Sequence, residues 1–425
     1  MKATGRILAV VMALVLLMAF IPGCAEKKDA VNTSSGPKII KLGVLGPMTG
    51  EDAWFGDEIK VAIDLQLKKI DYKVGEYKIE LVYIDSESDS EKAAIAYEKA
   101  IVNDKINVGF MDWCAWVSTA CMEISAKYKI PHFFSFGTEA AIDEKIKADF
   151  DTYKYWVGKA WPDPRLLTQA YVEAVEGADW TPRNKNFAVV CDDSSWGRDF
   201  GEAIGAQFQA AGWNKVSEDW VAYDETDFAP LIGRLKASDV SLTCGTITNP
   251  ASVTSYIKQA RDANLKSVIV ADGLGWAGEW YSMTGAASDY VLDQIPQWTT
   301  DEAKKFAADF EEIAGFAPSP SAAGMCYDWT GFLIDVFNKT LTDYGEITSA
   351  TLMKCAEEWV IPGKLTYTKG IIHKEYKYTS ETFPNPVVDQ DHYIFPVIQY
   401  FDGEGKIVWP SNWADQAAII PDFMR

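Results

Sequence analysis

What most constrains this chain is an alternation that occurs twice. Short apolar runs of strand length take turns with amphipathic helical runs, first between 39 and 135 and again between 187 and 271. In the first series the pattern predicts strands over 39–45, 79–84, 108–111 and 132–135, with helices over 56–70, 90–103 and 118–128. The helix over 90–103 places Ala93, Ala94, Tyr97 and Ile101 on one face. The second series predicts strands over 187–191, 217–223, 240–245 and 267–271, with helices over 197–211, 229–237 and 251–264. Strands this short and uniformly apolar have no water-facing side, so they imply parallel sheets covered by helices on both faces. Two series imply an α/β fold of two doubly wound parallel-sheet lobes. After 301 the texture changes: 302–313 and 322–341 read as long helices, and from 363 onward the chain reads as strand-rich and aromatic. The length of 425 residues fits two or three domains at roughly 150 residues each.

The N-terminus carries a different signal. Lys2 and Arg6 precede an uncharged apolar run over 7–20, and Ile21-Pro22-Gly23-Cys24 follows. The run is short for a bilayer span and has the layout of a secretory signal peptide. A small residue before cysteine resembles a bacterial lipobox, which would make Cys24 the lipid-bearing first residue of the exported protein. Ile21 stands where Leu is usual and Pro22 is an uncommon neighbour, so an ordinary signal peptide cleaved nearby, or a short N-terminal anchor, is the alternative. Residues 25–37 are polar and turn-rich and read as a flexible linker. No second long apolar segment follows, so membrane contact is expected only through the N-terminal lipid.

A net charge of −21 without a basic cluster excludes nucleic acid as a partner, because phosphate neutralisation needs concentrated Lys and Arg. Six cysteines follow Cys24: Cys114, Cys121, Cys191, Cys244, Cys326 and Cys355. Their even number in an exported chain permits disulfides, a Cys114–Cys121 bridge among them, but most sit in apolar runs that favour buried free thiols. None has metal-ligand spacing, and neither a metal nor a cofactor is expected.

Enzyme signatures are weak. Gly273-Leu274-Gly275-Trp276-Ala277-Gly278 spells a dinucleotide fingerprint after a strand, yet it lies mid-chain and Trp276 would crowd a pyrophosphate. A strand-to-helix turn is the preferred reading. There is no G-x-S-x-G elbow, and none of the three histidines, His132, His373 and His392, belongs to a zinc motif. His132 reads as a satisfied core histidine, and Cys114 as a nucleophile would lack a base.

Four stretches carry a resemblance. They are Lys38 to Asp57, Cys191-Asp192-Asp193-Ser194-Ser195-Trp196-Gly197, Tyr256-Ile257-Lys258-Gln259-Ala260-Arg261 and Val270-Ala271-Asp272-Gly273. In order and spacing they resemble type I periplasmic solute-binding proteins of ABC transporters, in the leucine/isoleucine/valine-binding subgroup. The resemblance runs from Lys38 to about Lys369. It implies two lobes joined by three crossing segments, placed at 157–159, 295–298 and 361–363. The first lobe is then 38–158 with 296–361, and the second 159–295 with 362–425. It implies a monomer in the periplasm or another extracytoplasmic space, lipid-anchored, that captures a small organic solute by lobe closure and delivers it to an ABC permease in the inner membrane.

The resemblance also places the ligand. The family's serine-rich loop after the fourth strand is here Trp113-Cys114-Ala115-Trp116, without a hydroxyl before Ser118. The threonine after the fifth strand is kept as Thr138, beside Phe136. Phe55, next to Trp54, matches a stacking tyrosine; Trp196 matches the second-lobe tyrosine, and Thr246 another. Asp272 falls on the acidic ammonium partner, and Trp161 lies just past the first crossing. Trp occurs at or beside nearly every expected contact loop, Trp276 included. A branched-chain or other hydrophobic amino acid is the family default. Lost hydroxyls and gained indoles point instead to an aromatic acid or a quaternary amine. Thr138 and Lys159 would suit a carboxylate, and Asp112, Asp192, Asp193 and Asp272 a cation. A ligand-sensing protein of a chemoreceptor system would share the same fold.

Overall fold

The computed structural model describes residues 38–424. The signal segment 1–24, the linker 25–37 and Cys24 lie outside the described residues. Strands β1 (Lys38–Gly46), β2 (Lys73–Val74), β3 (Tyr77–Asp85), β4 (Val108–Phe110) and β5 (His132–Phe133) form one sheet in the order β2-β3-β1-β4-β5. Only β2 is antiparallel. The central strand β1 is buried along nearly all of its second half, because helices cover both faces. Those helices are α1 (Ala53–Lys68), α2 (Ser90–Lys99) and α3 (Ala115–Tyr128), with α4 (Ala140–Ala148) and α5 (Phe150–Tyr153) after β5.

The second sheet has β6 (Asn186–Asp192), β7 (Asn214–Val221), β8 (Leu242–Thr246), β9 (Val268–Asp272) and β10 (Leu292–Gln294) in parallel, in the order β7-β6-β8-β9-β10. The hairpin of β11 (Val397–Phe401) and β12 (Glu404–Trp409) extends it antiparallel beyond β10. Helices α6 (Gln169–Glu176), α7 (Ser195–Ala210), α8 (Ala229–Ala237), α9 (Pro250–Asp262) and α10 (Trp280–Thr284) flank it. The chain then returns through α11 (Asp301–Ala314), α12 (Met325–Tyr344) and α13 (Ser349–Cys355), with α12 packed on α1. This is the type I periplasmic binding protein architecture of two doubly wound lobes.

Local chemistry sets the helix starts. Asp89 caps α2 by accepting from the N–H groups of Glu91 and Lys92, both at 2.9 Å. Ser194, Asn249 and Thr300 cap α7, α9 and α11 in the same way. Helix α3 differs: Cys114 stands at its N-cap and its side chain caps nothing.

The structure differs from the sequence reading in three ways. The run expected as one helix over 90–103 divides into α2 and a π-helical turn, Ala100–Asp104, ended by Lys105 at φ 59°. Helices α4, α5, α6, α10 and α13 went unpredicted. The C-terminal region is strand-poor before β11. Its aromatic residues plug α12 instead of forming a ladder. Asp328 on α12 accepts from the backbone of Ile371 (2.7 Å) and Ile372 (3.0 Å) and from the Tyr376 hydroxyl (3.1 Å), which satisfies backbone groups that a strand would have paired.

The cysteines named above within the described residues, including Cys114 and Cys121, are free and buried. His132 is a core residue: Nδ1 lies 2.9 Å from the Tyr97 hydroxyl and Nε2 lies 2.5 Å from the Met111 carbonyl oxygen. Burial pulls its pKa down to about 3, so the ring is neutral. His373 is also buried, stacked on Tyr393.

Candidate functional site

The parallel strands of both sheets run out onto one cavity. At a parallel strand's C-terminal end, loop side chains and helix first-turn N–H groups gather, which makes these ends natural ligand sites. The loops after β4 and β5 supply Trp113, Cys114, Ala115, Trp116, Phe136 and Thr138. The chain beyond the first crossing supplies Trp161, Ser194, Trp196, Tyr223, Thr248 and Trp276. Ser321 and Ala322 close one edge. The space among these side chains, counted out to open solvent, is about 480 Å³.

Buried carboxylates hold the loops that form these walls. On the five-stranded side Asp112 accepts from the N–H groups of Ser135 (2.8 Å), Phe136 (2.9 Å) and Gly137 (3.2 Å), and from the hydroxyls of Ser135 and Ser118. Burial pushes its pKa up and these donors pull it partly back. On the other side Asp192 accepts from the Ser194 hydroxyl and from the Thr248 N–H at 2.7 Å, tying the loop after β6 to the loop after β8. Asp293 accepts from Gly273 (3.2 Å), Gly275 (2.8 Å) and the Tyr400 hydroxyl (2.7 Å). Gly273 has φ 104°, a left-handed conformation that glycine adopts without strain. This turn, where the sequence spells a dinucleotide fingerprint, delivers Trp276 to the cavity. Burial pushes the Asp293 carboxyl up to about 6.

The rings form an edge-to-face array. Trp276 meets Trp113 at 5.6 Å and Trp161 at 5.7 Å, with interplanar angles of 84° and 82°. Trp116 meets Tyr223 at 5.7 Å. Hydrogen bonds tie the halves together beside the cavity, among them two to carboxylates. The Tyr223 hydroxyl donates to Asp52 Oδ1 at 2.8 Å, and the Ala140 N–H donates to Asp199 Oδ2 at 2.6 Å.

Four lining groups are buried and have no hydrogen-bond partner: Thr138 Oγ1, Trp161 Nε1, Thr248 Oγ1 and Trp276 Nε1. A buried polar atom left alone costs free energy, so these atoms mark where a ligand would bond.

Of the residues named from sequence, Trp113, Cys114, Ala115, Trp116, Phe136, Thr138, Trp161 and Trp196 line the cavity. The other four stand one layer back. Phe55 stacks behind Trp113 at 4.3 Å, and Trp54 abuts Trp113 edge-on at 5.2 Å. Thr246 and Asp272 lie beneath Trp196: its Nε1 donates to Thr246 Oγ1 (3.3 Å), whose hydroxyl donates to Asp272 (3.1 Å). Asp272 also accepts from the Tyr171 hydroxyl at 2.8 Å, and its pKa is raised well above the usual range by burial and by Asp293. Lys159 is tied to Asp143 at 2.7 Å in a fully buried pair. Sequence reasoning passed over Ser194, Tyr223, Thr248, Ser321 and Ala322. Ser194 lies within a quoted motif and Thr248 sits two residues past Thr246, but Tyr223 follows the edge strand β7 and only the folded chain brings it to the cavity.

Among the described residues no group of His, Cys, Asp and Glu is arranged to hold a metal, and no helix is long and apolar enough to cross a membrane. Two lobes whose strand ends meet over an aromatic cavity define a bilobal binding-protein class. A family model described as periplasmic binding protein matches residues 39–368, and the chain belongs to that family. It is similar to a Leu/Ile/Val-binding protein of Citrobacter freundii, with 24% identity over 251 residues, 59% of this chain and 65% of that protein. The match therefore spans under two thirds of that relative's length. A solute binding protein of an ABC transporter from Rhodopseudomonas palustris BisB5, solved with 3,4-dihydroxybenzoic acid, has the same fold. Its TM-score is 0.69 at 21% identity, over 86% of this chain and 95% of that one. The fold is shared too by LivJ of Streptococcus pneumoniae, solved with isoleucine, at TM-score 0.70 and 15% identity over 87% and 98% of the two chains.

Proposed function

We propose that this chain is the extracytoplasmic solute-binding component of an ABC importer, tethered by a lipid on Cys24, and that it hands a small organic solute to a membrane permease. The observation that carries this reading is the cavity itself. It is walled by rings from both sheets and holds buried polar groups without partners. A solute that touches both walls binds the closed arrangement better than an open one, so binding drives closure about the three crossings.

Catalysis is no part of the proposal. Cys114 is the one nucleophilic thiol in the lining, and burial next to Asp52 pushes its pKa well above the usual range, away from the reactive thiolate. His132 is occupied in the core by Tyr97 and Met111.

The test is a thermal-shift screen of the full chain, unfolded and refolded to strip carried ligand, against amino acids, aromatic carboxylates and alkylammonium compounds. A solute at about 100 times its Kd stabilises by roughly 2.7 kcal/mol. At least one solute class is expected to raise Tm and to be recovered unchanged. Conversion of the solute, or no shift across the panel, overturns the proposal.

A further inference from the structure

We infer that the cavity takes an aromatic carboxylate without an ammonium group; this names the solute class and so rests on the solute-binding reading above. The argument begins with what the lining offers. Trp161 Nε1 and Trp276 Nε1 are buried, unpartnered and able only to donate. Thr138 Oγ1 and Thr248 Oγ1 are buried and unpartnered beside them, with Thr138 wholly inaccessible. Helix α3 begins at the cavity with Ala115 and Trp116, and the Cys114 side chain does not cap it. First-turn N–H groups of an uncapped helix favour an anionic acceptor. The two indole N–H groups and the helix first turn require an acceptor on the ligand, the two threonine hydroxyls can donate to one, and a carboxylate presents two oxygens with no donor.

An ammonium has the opposite need, and the acids that would meet it are already engaged. None of the lining residues is a carboxylate. Asp112 is occupied by the Ser135, Phe136 and Gly137 N–H groups. Asp192 is occupied by Ser194 and Thr248, Asp272 by Tyr171 and Thr246, and Asp52 by Tyr223 and Ser88. An α-amino acid would bring three N–H donors toward indole N–H groups that must also donate. A tetraalkylammonium would suit the ring faces but would leave all four unpartnered groups without a bond. The body of the ligand meets rings at right angles to one another, an array whose edges and faces receive a flat aromatic body.

The experiment is titration calorimetry on the stripped full chain with matched pairs: 3-phenylpropanoate against phenylalanine, and 4-methylpentanoate against leucine, with benzoate and tetramethylammonium alongside. An aromatic carboxylate is expected to bind roughly tenfold or more tighter than its amino acid counterpart. Trp161→Phe and Trp276→Phe keep a ring and remove the N–H. Each is expected to weaken the carboxylate roughly tenfold while leaving Tm of the free protein near that of the parent. Phenylalanine or leucine binding as tightly as its partner acid, or tetramethylammonium binding tighter than any acid, overturns the inference and leaves the binding-protein reading intact. Full affinity in both Trp variants overturns the donor assignment even if the pairs behave as expected. No binding by any compound overturns both readings.

Discussion

The two walls of the cavity are held by the same device in two different forms. On the five-stranded side one carboxylate, Asp112, collects three backbone N–H groups and two hydroxyls, and so fixes the loops after β4 and β5 together. On the seven-stranded side the task is divided among Asp192, Asp272 and Asp293. Asp272 is served only by hydroxyls and feels the Asp293 charge. A buried acid ringed by donors acts as a rigid pin. Burial pushes both Asp272 and Asp293 up, Asp293 to about 6, so that wall answers to pH.

The largest effect that would test this contrast is at Asp112. Asp112→Ala leaves several buried donors without an acceptor, and urea denaturation is expected to show a loss of about 3–5 kcal/mol. A loss below about 1 kcal/mol would break the comparison, since the five-stranded wall would then not depend on its pin. Next is the pH response of the other wall. The folded Asp293 carboxyl is pushed up to about 6, above its unfolded value near 3.9. The folded state therefore keeps the proton longer; this contribution is complete below about pH 4 and is lost as pH rises through 6, on the order of 2–3 kcal/mol in all. Tm measured from pH 4 to 7 should show a downward component in the parent that Asp293→Asn removes. Identical profiles would remove the pH-sensitive half of the contrast.

Smaller effects concern the ligand. Trp196→Ala removes a ring from the seven-stranded wall and is expected to weaken binding by about 1–2 kcal/mol in calorimetry; unchanged affinity in a folded variant would count against the role of Trp196. The smallest is Tyr223→Phe. It removes one donor from buried Asp52 and one tie between the halves, and affinity is expected to fall by about 1 kcal/mol or less. A larger radius of gyration for the liganded variant in small-angle scattering would locate the loss in closure.

Much of the fold was legible because parallel sheets leave a strong trace. Runs such as β8 and β9 are buried at every position, and only a strand covered on both faces needs that composition. The C-terminal region misled because tyrosine and isoleucine favour strands in general, whereas Tyr376 and Ile371 here serve a carboxylate on α12. At the cavity, the resemblance located the loops, so Trp113, Thr138 and Trp196 could be named from the family positions they match. Depth could not be read. Thr246 and Asp272 end strands β8 and β9 beside the lining residues, but the Trp196 indole covers them, and no sequence pattern records which side chain lies over which. Tyr223 was illegible for a related reason: it arrives from an edge strand with its ring across Trp116.

The right-angled indoles have an optical consequence. Trp113 and Trp276 come from opposite walls, with ring centroids 5.6 Å apart. Chromophores that close exchange excitation, and their coupling depends steeply on separation and angle. The protein thus carries a built-in reporter of its own state. Closure should add an exciton component in near-ultraviolet circular dichroism over the constant contribution of Trp161 with Trp276, opening should remove the added part, and Trp113→Phe should abolish the difference without any added dye.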